Sequence, residues 1–245
     1  MLNSPTMFIS VIIPAYNEQS KVARDIDSAA TWLSANPGGG ELIVIDDGSG
    51  DETAKVAGES CRNLEIETRV STIPHAGKGA AVRKGVSESS GDIVMFADTG
   101  LCIFYDEAEK GIEMIRDGKY DIANGSRYHP ESVIVKQKGF FRRLASSLFR
   151  KVLPFLVGIR GRYTDTQCGF KVYRGQTARK LYEQCVCNGY FFDLEVILRA
   201  ERKGLRVGEF PVRWTSDSDS RLSLSRNMAK VLFEVFRIRR AVKDA

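Results

Sequence analysis

Four groups of residues in this chain carry side chains suited to a phosphorylated ligand. Pro14-Ala15-Tyr16 offers a flat apolar and aromatic wall. Asp46 and Asp47 offer hydrogen-bond acceptors. Gly77-Lys78-Gly79 is a flexible turn carrying an ammonium group, with Arg83 about one helical turn later, and Asp98 is a carboxylate that directly ends an apolar run. A nucleoside diphosphate asks for this set. Its base needs a planar slot, its ribose needs acceptors, and its phosphates need positive charge or a divalent cation held by carboxylates. Two other phosphate-binding devices are excluded. No Gly-x-Gly-x-x-Gly follows the first apolar run, and Gly77-Lys78-Gly79 lacks both the upstream glycine and the following Ser/Thr of a P-loop.

The elements that must position these residues alternate. Phe8–Pro14, Glu41–Ile45, Leu64–Val70, Asp92–Ala97 and Tyr120–Asn124 read as strands, the first two apolar enough to be buried on both faces. Glu18–Ser34, a segment capped by Ser49 or Asp51 and running to about Ser60, Gly79–Ser89 and Asp106–Asp117 read as the intervening helices. Strands separated by helical patterns predict a mostly parallel α/β sheet, whose ligands bind beyond the C-terminal ends of the strands. Each candidate residue follows one of those ends. Farther on, Val135–Val157 reads as a helix with Phe140, Phe141, Leu144, Leu148 and Phe149 along one stripe. Lys171–Arg174 and Arg206–Trp214 read as strands, and Thr177–Gln184, Asp193–Lys203 and Leu222–Val242 as helices.

Composition narrows the class. Of 245 residues, 43% are hydrophobic and 27% charged, which is globular and excludes disorder. The longest apolar run, Val152–Ile159, is far below the ~18 residues that cross a bilayer. No basic leader opens the chain, and five cysteines without a Cys-x-x-Cys pair read as reduced thiols, so a cytoplasmic location is expected. Charge is uneven. Eight Lys/Arg and no Asp/Glu lie between Ser132 and Thr164, and the tail from Arg221 is basic again. Aromatics and leucines interleave with these charges, which fits an anionic membrane surface contacted peripherally and not a nucleic acid. No linker or repeat divides the chain, so one domain spans 1–245, with a ligand-binding half at 1–127 and a membrane-facing half at 128–245.

In order and spacing, VIIPAYNE (Val11–Glu18), VIDDGSGDET (Val44–Thr53), HAGKGAAVRKG (His75–Gly85), FADTG (Phe96–Gly100) and GSR (Gly125–Arg127) resemble the family 2 glycosyltransferases with the GT-A fold. DTQCGFKVY (Asp165–Tyr173), FFDLEVI (Phe191–Ile197) and PVRW (Pro211–Trp214) resemble one branch of it, the polyprenyl-phosphate (dolichyl-phosphate) hexose synthases, with the glucose enzymes nearer than the mannose ones. The resemblance covers nearly the whole chain. It implies an inverting transfer of a hexose from UDP-glucose or GDP-mannose to a polyprenyl phosphate at the cytosolic membrane face.

The resemblance also implies roles. Pro14, Ala15, Tyr16, Glu18, Asp46, Asp47, Lys78 and Asp98 would bind the nucleotide sugar, and Asp98 would hold Mg²⁺ or Mn²⁺. Arg127, with Arg142, Arg143, Gln167 and Arg221, would bind the acceptor. Asp98, Arg127 and Asp193 would form the catalytic set, Asp193 lying where hydroxyl-glycosylating relatives place a base. Asp165 and Glu195 would help shape the pocket. The chain departs from the family at Asp98-Thr99-Gly100, where Asp-x-Asp is usual, and at Cys102 and His75, where Gln and Asn are frequent. Two alternatives follow: a transferase with a glycan hydroxyl as acceptor, or a nucleotide-sugar-binding protein without turnover.

Overall fold

The computed structural model describes residues 6–136, 152, 154–159, 163–215 and 228–243. The chain runs β1 (Ile9–Ala15), α1 (Val22–Ser34), β2 (Gly40–Asp46), α2 (Thr53–Cys61), β3 (Glu67–Thr72), α3 (Lys78–Glu88), β4 (Ile93–Ala97), α4 (Ala108–Arg116), β5 (Ile122–Ser126) and β6 (Val133–Lys136). It continues as β7 (Phe170–Arg174), α5 (Gly175–Glu183), α6 (Phe192–Arg202), β8 (Val207–Pro211), β9 (Arg213–Thr215) and α7 (Met228–Lys243). Seven strands build one sheet in the order β3-β2-β1-β4-β7-β5-β8. All neighbours pair parallel except β7, which runs antiparallel to both β4 and β5.

Alternation within each strand divides the core in two. Ile12, Ile43 and Phe96 face a cluster with α3, α5, α6 and α7. Val11, Ile13, Val44 and Met95 face a second cluster with α1, α2 and α4. Every residue of β1 and β2 is buried, as their unbroken apolar runs require. The third strand starts three residues later than expected, and its alternating exposure is that of an edge strand.

Two expectations are corrected. Arg206–Trp214 is not one strand: β8 ends at Pro211, and β9 leaves the sheet to pair parallel with β6. Val135 and Lys136, expected to open a helix running to Val157, instead belong to that partner strand, residues 133–136; Val133-Ile134-Val135 is β-branched throughout. The stripe Phe140, Phe141, Leu144, Leu148 and Phe149 lies outside the described residues, as do Arg142, Arg143 and Arg221. Residues 152 and 154–157 are helical. The last helix is described from Met228 onward. Among the described residues no helix is long and apolar enough to cross a membrane. All five cysteines are free thiols.

Candidate active site

Because β7 is antiparallel, its N-terminal end lies at the same sheet edge as the C-terminal ends of β1, β2, β4 and β5; Phe170 pairs with Ala97. Thr164–Gly169 therefore joins the loops that follow the other strands. Between them lies a cavity of about 430 Å³, within the range of small-molecule sites. Pro14, Ala15, Tyr16, Glu18, Asp47, Lys78, Asp98, Arg127, Gln167 and Asp193 all border it. Asp46 does not. It is 1% exposed, and its Oδ2 accepts the Ser49 amide at 3.2 Å, so it holds its own loop and does not reach a ligand.

The loops around Tyr16 zip together through their polar residues. Asn17, at φ 51°, donates its amide to Ser49 Oγ at 2.8 Å, and its Oδ1 accepts the Gly50 amide at 2.8 Å. The Glu18 amide donates to Thr53 Oγ1 at 2.7 Å. Ser49, Gly50 and Thr53 of DDGSGDET are thus explained as partners of the PAYNE loop, and Asp51 accepts the amide of the next residue, Gln19, at 3.3 Å. Asp47 accepts the amides of Ala76 and Gly77 at 2.8 and 2.9 Å and meets His75 Nδ1 at 2.9 Å. It braces the loop that leads into α3. His75 stacks on Tyr16 with ring centroids 4.2 Å apart, so the wall of the slot is a two-ring platform.

In the middle of the cavity stands Asp98. Its amide donates to the Gly169 carbonyl at 2.9 Å. A Cβ on Gly169 would fall 1.9 Å from Asp98 Oδ2, so only glycine leaves room for this carboxylate. Lys78 Nζ lies 2.6 Å from Asp98 Oδ1. Burial works against the ammonium, but Asp98 and Asp193 outweigh it and keep Lys78 firmly protonated.

The turn after Asp98 is unusual. Gly100 and Leu101 both have positive φ, at 100° and 46°. The Gly100 amide donates at 2.8 Å to Asp25 Oδ2, a carboxylate on α1 that is 1% exposed and that burial pushes up to about 6. Asp25 was not anticipated. Its signal is positional: it shares the buried stripe Val22, Ile26, Ala29 and Leu33, where a carboxylate needs a reason. Gly100 is thus not an ordinary slot with its carboxylate removed, since its backbone conformation favours glycine. Gly100→Asp is expected to lower stability by about 1–3 kcal/mol from backbone strain. Thermal denaturation checks this; an unchanged Tm would mean the turn relaxes freely.

At the far end, Arg127 binds Asp165 through Nε at 2.6 Å and Nη2 at 2.9 Å, with its guanidinium 5.9 and 5.8 Å from the Tyr128 and Trp214 rings. Burial works to raise Asp165, but the Arg127 guanidinium holds it below the usual carboxylate range. Asp193, in the first turn of α6, is 2% exposed and is pushed by burial up to about 6 despite Lys171 Nζ at 3.6 Å. Lys171 is 1% exposed and was missed as well, because alternation in FKVYR reads it as outward. Gln167 Nε2 and Asp193 Oδ1 are buried at the cavity without a hydrogen-bond partner, the state of groups that await a ligand. Glu195 has another task. It takes the amides of Val186 and Cys187 at 3.0 and 2.7 Å and pairs with Arg199 at 2.8 Å. Arg83 likewise ties down Cys185 and Asn188 at 3.0 and 2.7 Å.

Among the described residues no three His, Cys, Asp or Glu side chains gather as a metal cage. Asp98, 41% exposed to the cavity, fits a cation completed by phosphate oxygens and water, which is how Mg²⁺ is commonly held.

A mostly parallel seven-stranded sheet with flanking helices and a polar cavity at one edge is the architecture of the GT-A fold. Residues 10–174 match Glycosyl transferase family 2, and the chain belongs to that family. The dolichyl-phosphate beta-glucosyltransferase of Drosophila melanogaster is 36% identical over 233 residues, covering 90% of this chain and 71% of the relative. The human protein of the same name is 34% identical over 234 residues, with 90% and 71% covered. The Saccharomyces cerevisiae one is 30% identical over 254 residues, with 96% and 75% covered. Glucosyl-3-phosphoglycerate synthase from Mycobacterium tuberculosis, solved with Mn²⁺, UDP and phosphoglyceric acid, shares the fold at TM-score 0.70 and 20% identity, covering 95% of this chain and 78% of that one. Mannosyl-3-phosphoglycerate synthase from Rubrobacter xylanophilus does so at TM-score 0.67 and 18% identity, with 97% and 75% covered.

Proposed function

We propose that this protein transfers glucose from UDP-glucose to a polyprenyl phosphate of the dolichyl type, with inversion at the anomeric carbon. One observation carries the reading. A single cavity connects the Tyr16–His75 platform, the Lys78–Asp98 pair and the Arg127–Gln167–Asp193 pocket. That sequence of environments suits a base, a diphosphate and a phosphorylated acceptor in line.

The acceptor phosphate is already ionised near neutral pH, so no strong base is required. Rate then comes from orientation and from stabilising the departing nucleoside diphosphate. Asp98 would hold Mg²⁺ or Mn²⁺ against the donor phosphates, where the ion supplies positive charge to the leaving group. Asp47 sets the loop under the base, and Lys78 presents its ammonium toward the phosphates. Arg127, oriented by Asp165, faces the acceptor, with Gln167 Nε2 as a second donor. Asp193 orients groups from beneath. The related branch with a hydroxyl acceptor would instead need Asp193 as base.

Attachment to a membrane surface from the cytosolic side is part of the proposal. Phe155 is 80% exposed, and on α7 Phe233 and Phe236, 66% and 65% exposed, are accompanied by Arg237, Arg239, Arg240 and Lys243. Each basic residue near an anionic surface contributes about 1 kcal/mol.

The test is transfer of labelled glucose from UDP-glucose to a short polyprenyl phosphate in vesicles containing phosphatidylserine, with GDP-mannose as parallel donor. Lipid-linked glucose, and flotation of the protein with those vesicles at low salt, are expected. Product on a glycan hydroxyl alone, or nucleotide binding without product, would overturn the reading.

A further inference from the structure

The cation nearest Asp98 is built into the chain. Lys78 is the first residue of α3. Its Nζ sits 5.7 and 5.8 Å above the Phe96 and Phe192 rings and 2.6 Å from Asp98 Oδ1. Those rings belong to the buried core, so the ammonium's direction is set by packing and not by a flexible surface stem. Among the described residues the other guanidinium or ammonium bordering the cavity, Arg127, is committed to Asp165 by two side-chain hydrogen bonds at 2.6 and 2.9 Å. Where the family's pattern would add a second carboxylate, Gly100 has no side chain and turns its amide away to Asp25 at 2.8 Å. Beside Lys78 the site therefore holds Asp98 at contact distance, with Asp193 as a further negative neighbour and no carboxylate at position 100. An additional divalent cation on Asp98 would lie close to that ammonium and be repelled by it.

We propose that Lys78 is a resident counter-charge that shares Asp98 with the divalent cation: it weakens the metal there and itself neutralises part of the donor diphosphate. The inference rests on the nucleotide-sugar reading above and deepens it. It makes two predictions of opposite sign for one substitution. Without its ammonium the site binds metal more tightly, because a neighbouring like charge has gone. Without metal the site binds nucleoside diphosphate more weakly, because the cation beside Asp98 has gone.

The experiment measures equilibrium binding to the purified full chain, with no acceptor present. Free Mn²⁺ is followed by its paramagnetic resonance signal in the presence of UDP, with GDP as parallel probe. UDP binding is then measured by calorimetry in chelator. Lys78→Met, close in length and apolar, keeps contact with the two rings. We expect Lys78→Met to tighten Mn²⁺ roughly tenfold or more and to weaken UDP in chelator by a similar factor. Asp98→Asn in both backgrounds should erase the difference in Mn²⁺ affinity, which locates the coupling at the shared carboxylate. A structural role alone would weaken both ligands together. Weaker or unchanged Mn²⁺ binding in a Lys78→Met protein that retains the wild-type circular dichroism overturns the inference and leaves the transferase reading intact. Failure of the wild type to bind either nucleotide, with or without metal, overturns both.

Discussion

Arg127→Ala is expected to destabilise the fold by about 3–5 kcal/mol, because it strands a buried carboxylate. Asp165 is 1% exposed and receives both hydrogen bonds of the Arg127 side chain, so it loses the partner that does most to keep it ionised, with Lys171 the weaker one left. The Glu209 carboxylate holds the neighbouring amides of Thr164 and Asp165 at 2.7 and 2.8 Å and offers no replacement charge. Denaturant midpoints would show the loss. The double variant Arg127→Met with Asp165→Asn should recover much of it, since removing both charges leaves none unpaired. That double variant separates stability from function. With the fold restored and the guanidinium absent, transfer to polyprenyl phosphate should still fall by more than about a hundredfold. A restored fold with full activity would assign Arg127 to architecture alone.

Asp98→Asn should behave in the reverse way, with a large kinetic effect and a small structural one. The carboxylate is 41% exposed to the cavity, and Lys78 keeps Asp193 as a further negative neighbour. We expect kcat for glucosyl transfer to fall by about 10²–10³, the range seen when one group that stabilises transition-state charge is lost. Tm should move by no more than a few degrees. Gly169→Ala provides a companion test. Its new Cβ would overlap Asp98 Oδ2, so it should displace the carboxylate and reproduce the kinetic loss without touching the charge. Retained activity in Asp98→Asn would remove Asp98 from the chemistry.

Much of this site was legible before the fold was known, for local reasons. Asp98 could be picked out because it ends an apolar strand, where a loop carboxylate has little reason to sit without a ligand. Tyr16, Asp47 and Lys78 could be picked out because each follows a recognisable strand in a parallel α/β order. What stayed hidden depended on pairing across long stretches of chain. β7 reads as a strand on its own, but nothing local says that it inserts antiparallel between β4 and β5. Without that insertion Lys171 seems to face outward and Gln167 seems distant from Asp98. β6 and β9 are too short to announce themselves, and each is a strand only because the other, about 80 residues away, meets it. Asp46 shows the converse. The doublet Asp46-Asp47 is one motif by eye, but the two side chains part: Asp47 borders the cavity and braces the loop into α3, while Asp46 turns inward to its own Ser49.

The inserted strand also governs how the chain can come together. β4 ends at Ala97 and β5 at Ser126, yet these two strands never touch, and the seat between them is filled only when Phe170–Arg174 arrives. Until then each of the two earlier strands presents a raw hydrogen-bonding edge in the middle of the future sheet. A nascent chain with 1–127 already clear of the ribosome therefore holds one four-stranded fragment, β3-β2-β1-β4, a β5 without either of its partners, and two incomplete cores. Residues 1–127 and those that follow are therefore inseparable in assembly, since β7 completes the sheet that β1–β5 begin. Completion waits on contacts of high sequence separation, which is the condition for slow, all-or-none folding with aggregation-prone edges along the way.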